Sequence, residues 1–114
     1  MPRSAKGFVG THQPKVRAIL AKIDGTGTAS VLSGKEEVTL TDTGTGDYLL
    51  TLKNKGKRIV SANFQPITAA IRMQCGTIVE GVSVQALAFG YNNTTATDAD
   101  FFATIFVADD SRDF

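Results

Sequence analysis

Few side chains in this sequence have both the type and the company that catalysis needs. His12 is the only histidine, and it sits among Gly7, Gly10 and Gln13 in a stretch without strand or helix period. A general base needs a fixed, oriented imidazole, so His12 reads as a solvated residue. Cys75, the single cysteine, alternates with Ile71 and Met73 and reads as a packed thiol. No second histidine is present to activate it, and one cysteine permits neither an intrachain disulfide nor a paired-cysteine zinc site. Asp98 with Asp100, and Asp109 with Asp110, carry the oxygens a hard cation prefers. Two acids supply too few ligands, however, and miss calcium-loop spacing. Glu36 and Glu37 are adjacent in extended chain and point to opposite faces, which separates them as an acid and base pair. Gly25-Thr26-Gly27 lacks the third glycine and following helix of a dinucleotide site, and no Gly-Lys-Ser/Thr phosphate loop occurs. The expectation is a non-enzyme with no catalytic, cofactor or metal site.

The basic cluster Lys53, Lys55, Lys57 and Arg58 has no interleaved aromatic residues and reads as a solvated hairpin tip that discourages edge pairing. With a formal net charge of only +1, no nucleic-acid partner is expected. No apolar run reaches the roughly 18 residues of a membrane span, and Met1 to Gln13 lacks a signal-peptide core, so no membrane partner is expected and synthesis is placed in a cytoplasm. Asn92-Asn93-Thr94-Thr95 contains overlapping glycosylation sequons, which without a secretory route simply mark an exposed loop.

The elements that position these groups read as β throughout. A glycine-threonine signature occurs twice, as Gly25-Thr26-Gly27-Thr28 and as Thr41-Asp42-Thr43-Gly44-Thr45-Gly46-Asp47-Tyr48. Glycine reaches turn conformations at little cost, and Thr and Asp close turns through side-chain hydrogen bonds. Strands are expected at Val16 to Ile23, with apolar groups on both faces, around Val38 and Leu40, and at Tyr48, Leu50 and Leu52. Gly56 in the polar Lys53 to Lys57 connection then predicts a hairpin with Arg58 to Phe64, which ends before Pro66. Further strands follow at Ile71 to Cys75, Val82 to Phe89 and Asp100 to Val107, the last with Phe101, Ala103, Ile105 and Val107 on one face.

About seven short strands predict an all-β fold, an antiparallel β-sandwich or its jelly-roll variant. The absence of Trp and of a cysteine pair disfavours an immunoglobulin-type domain. A length of 114 residues with 42% hydrophobic content suits one domain over residues 15–114, preceded by a basic arm at residues 1–14. Residues 1–24 carry a formal +4 and residues 91–114 a formal −4, so the two ends are expected to attract each other. Phe102 and Phe106, together with Leu87 and Phe89, are more apolar than a solvent-facing surface needs and predict a covered edge or a subunit interface.

The run Ile23-Asp24-Gly25-Thr26-Gly27-Thr28, followed by Val38, Leu40 and Thr41-Asp42-Thr43-Gly44-Thr45-Gly46-Asp47-Tyr48-Leu49-Leu50-Thr51-Leu52, resembles a β-sandwich domain of tailed-bacteriophage virion proteins. The likeness covers residues 23–63. It implies a virion structural protein, made in the host bacterial cytoplasm and acting as a homotrimer. A long fibre shaft is missing from the sequence, which favours a capsid decoration (cement) protein on the capsid exterior, with the major capsid (coat) protein as partner. In that reading the capsid-binding arm comprises Arg3, Lys6, Phe8, Lys15 and Arg17. The alternative is a tail-fibre or receptor-binding module recognising host surface glycans through loops 25–35 and 90–99.

Overall fold

The computed structural model describes residues 16–109. They form eight strands: β1 (Val16–Asp24), β2 (Ser30–Ser33), β3 (Val38–Gly44), β4 (Asp47–Leu52), β5 (Arg58–Pro66), β6 (Ile71–Val79), β7 (Ser83–Gly90) and β8 (Phe101–Ala108). Two four-stranded antiparallel sheets result, ordered β2-β1-β8-β5 and β3-β4-β7-β6.

The period-two pattern dictates which side chains meet between the sheets. Ile19, Ala21 and Ile23 of β1 and Phe101, Ala103, Ile105 and Val107 of β8 point inward from one sheet. Tyr48, Leu50 and Leu52 of β4 and Val84, Ala86 and Ala88 of β7 point inward from the other, all buried. Tyr48 joins the layers, its ring tilted against Phe101 at 5.4 Å, and Phe64 of β5 meets the same Phe101 edge-on at 5.8 Å. Alternating small and aromatic side chains let the two faces interdigitate.

Two expectations from sequence are corrected. The described residues hold eight strands where about seven were expected. The extra one, Ser30–Ser33, is too short to show alternation and pairs with β1 through a register shift at Lys22/Ile23. Second, Lys53 to Lys57 is not a hairpin tip, because β4 and β5 lie in different sheets. Its backbone is taken by other partners: Gly56 N donates to Gly81 O at 2.9 Å and Lys57 N to Ala108 O at 2.8 Å. The chain therefore crosses between the layers, and β5 pairs with β8 instead. β5 is an edge strand ending on Pro66, where a missing amide proton does least harm.

Candidate interaction surfaces

The two glycine-threonine segments, far apart in sequence, converge at one end of the sandwich. The β3–β4 hairpin turns at Thr45-Gly46, and Gly46 has φ +65°. A Cβ there would meet Ala88 O at 2.5 Å and Thr97 N at 2.7 Å, so both conformation and space require glycine. Gly46 N donates to the Asp98 carboxylate at 2.8 Å, and Gly46 O accepts from Ala88 N at 2.8 Å. The Tyr48 hydroxyl lies 2.9 Å from Gly25 O and 3.1 Å from Asp98, and accepts from Ala99 N at 3.2 Å. Burial first, and then the Asp98 charge, push the Tyr48 phenol up to about 12.

Asp100 completes the corner. It accepts from Gly25 N at 3.1 Å and stands 3.3 Å from the Thr26 hydroxyl. Asp24 takes the Thr26 amide at 3.1 Å and lies 3.0 Å from that same hydroxyl. The Thr26 hydroxyl, then Asp100 and the Thr26 amide, hold the Asp24 carboxyl below its ordinary value. Asp98 and Asp100 thus bind backbone amides that the turns leave unpaired. Among the described residues no cluster of three or more His, Cys, Asp or Glu side chains forms a metal site.

The remaining chemical candidates are dispersed. Cys75 is half-buried on β6, and burial pushes its thiol up, away from the reactive thiolate. Glu37 faces Arg17 while Glu36 is exposed, so they do not act as a pair. Lys53, Lys55 and Lys57 are exposed on the β4–β5 crossover. The sequon loop is ordered by Thr95 N donating to Asn93 Oδ1 at 2.9 Å and by Arg72 donating to Asn93 O at 3.0 Å. His12, Asp110 and four arm residues, Arg3, Lys6, Phe8 and Lys15, lie outside the described residues.

Arg17 is the one residue assigned to that arm that the structure describes. It opens β1 at the end of the inward-facing row, and its guanidinium holds Asp109 at 3.0 Å, faces Glu37 at 3.7 Å and donates to Asn54 O. Those partners come from both sheets, so Arg17 ties the far end of the sandwich together. The Arg17–Asp109 pair is one instance of the attraction expected between the basic start and the acidic end of the chain.

The four apolar residues assigned to one interface are also separated. Leu87 and Phe89 stand on the outer face of the β3-β4-β7-β6 sheet, where Arg72 covers the Phe89 ring at 4.6 Å. Phe102 and Phe106 stand on the outer face of the other sheet, on the opposite side of the molecule. There the register sets Phe106 beside Ala18, Thr104 beside Leu20 and Phe102 beside Lys22, whose ammonium lies 5.8 Å from the ring. Leu20 is 65% exposed and Phe102 45%, and Val16 continues the row. The exposed positions of Leu20 and Val16 were not singled out from the sequence, although the two-sided apolar pattern of Val16 to Ile23 was the available signal.

No family model matches the chain, and no curated protein or solved structure shows significant similarity to it. No helix among the described residues is long and apolar enough to cross a membrane.

Proposed function

We propose that the protein is a non-enzymatic virion structural component of a tailed bacteriophage, a capsid decoration protein that binds the outside of the shell as a trimer. Two lines support this reading. One is the resemblance of residues 23–63 to the phage virion β-sandwich. The other is how the polar groups are used. Asp24, Asp98, Asp100 and Tyr48 hold turns, while four of the exposed large apolar side chains form a row on one sheet face. The observation that carries the reading is that Val16, Leu20, Phe102 and Phe106 face outward together on adjacent strands. The two antiparallel four-stranded sheets agree with the β-sandwich that the resemblance implies.

In this role, subunits associate through the β1–β8 outer face, and the trimer meets the coat protein through several contacts at once. Binding the assembled shell in preference to its dissociated parts stabilises the shell by linkage, and multivalency strengthens the attachment. Immunogold labelling of purified particles tests the location: label over the shell is expected. Label confined to the tail tip replaces decoration with the receptor-binding alternative, and unlabelled particles overturn the virion reading. Sedimentation of a Phe102→Ser, Phe106→Ser double variant tests the contact. It is expected to be a folded monomer where the parent is a trimer.

A further inference from the structure

The two long sides of the sandwich are closed differently. On one side the edge strands β5 and β6 follow each other in the chain and lie against one another. On the other side the edges are β2 and β3, which make far fewer contacts. Among the described residues β2 pairs only with β1, and β3 only with β4. A groove of about 390 Å³ runs between them, with Ala29, Val31, Val38 and Leu40 among its apolar lining. Ala29, Val31 and Leu40 are half-buried and packed against the core, so the core itself reaches solvent here. Among the described residues, Lys35 and Lys53 are the only charged ones lining the groove, and both are exposed. The nearby Glu37 carboxylate is engaged by Arg17.

We infer that this groove takes an extended peptide segment of a partner protein, with apolar side chains on its floor and an Asp or Glu carboxylate directed at Lys35 and Lys53. Three features specify that chemistry. Each groove wall is an edge strand whose outer amides and carbonyls have no ladder partner among the described residues, and a peptide backbone supplies partners that an aliphatic chain cannot. The apolar lining favours a strand that places every second side chain inward. Two ammonium groups, with no carboxylate among the described lining residues, favour an acidic partner and disfavour a basic one. β2 has four residues, which at about 3.3 Å per residue matches a docked segment of roughly four to six residues. The inference goes beyond the virion reading and does not depend on it.

The test is to pan a randomised hexapeptide library on the full chain and measure one selected peptide by fluorescence anisotropy. Enrichment of alternating apolar residues followed by Asp or Glu is expected, as is a shift of the Val31 and Leu40 amide resonances on binding. A Lys35→Glu, Lys53→Glu double variant is expected to bind the acidic peptide at least tenfold more weakly and its lysine counterpart more tightly. Both lysines are exposed, so the variant retains the fold. Backbone N-methylation of the peptide is expected to abolish binding. Patternless or basic enrichment, unchanged affinity of the double variant, or resonance shifts confined to Phe102 and Phe106 would overturn the inference. So would full binding of the N-methylated peptide with competition by laurate, which makes the ligand an aliphatic chain. Groove amides protected only at high protein concentration would make the occupant a second copy.

Discussion

The two ends of the sandwich are tied by different chemistry. At the glycine-threonine corner, the buried Tyr48 hydroxyl and the Asp98 and Asp100 carboxylates hold backbone groups of three separate segments. At the opposite end, Arg17 holds Asp109, Glu37 and Asn54 with side chains still 28 to 41% exposed. Burial decides which tie matters more. A buried polar group deprived of its partner loses its hydrogen bond without regaining water, whereas exposed ions return to solvent. The corner is therefore expected to govern stability and the Arg17 end to trim it.

The largest effect is expected from Gly46→Val, which forces a β-branched residue to φ +65° and drives Cβ into Ala88 O and Thr97 N. A loss above about 3 kcal/mol in urea unfolding is expected, and a loss below about 1 kcal/mol would show that the hairpin can relax. Next is Tyr48→Phe, which removes the hydroxyl from Gly25, Asp98 and Ala99 at constant ring packing. It is expected to lose about 1–3 kcal/mol, measured in the same way.

The same residue gives an alkaline signature. Its phenol is raised from 10.0 to about 12 in the folded chain. The stabilising contribution is therefore complete below pH 10 and is lost as pH rises towards 12. The parent should weaken over that window by more than Tyr48→Phe does, and parallel curves would refute the assignment. Arg17→Ala is expected to lose about 0.2–1 kcal/mol, with the difference shrinking in high salt. A loss as large as that of Tyr48→Phe would break the contrast between the ends.

The smallest effect is expected at Asp24, whose carboxyl is held below its ordinary value of 3.8. Its contribution is present above that value and is lost as pH falls through the folded value. Asp24→Asn should be slightly less stable than the parent at neutral pH and converge with it below about pH 4, which flattens the acid limb of the stability curve.

Which face of a strand is buried was legible from alternation alone. Tyr48, Leu50 and Leu52, and likewise Phe101, Ala103, Ile105 and Val107, are the core residues that the pattern indicates. Alternation does not say which sheet a strand joins. For that reason Leu87 and Phe89 were grouped with Phe102 and Phe106, and the Lys53 to Lys57 crossover was read as a hairpin. The ties of Arg17 to Glu37, Asn54 and Asp109 were not legible because those partners are remote in sequence. Asp98 and Asp100 looked like weak cation ligands because the amides they accept from belong to segments more than 50 residues away.

The sequence by itself determined the all-β class, the buried faces and the turn chemistry of the two glycine-threonine segments, because these depend on neighbours within a few residues. Only the tertiary structure decided that those segments share one corner. It likewise decided that β4 and β5 belong to different layers and that the β2–β3 side stays open above an apolar groove. Each of those facts rests on a pairing between distant segments, selected by how all eight strands bury their apolar faces at once.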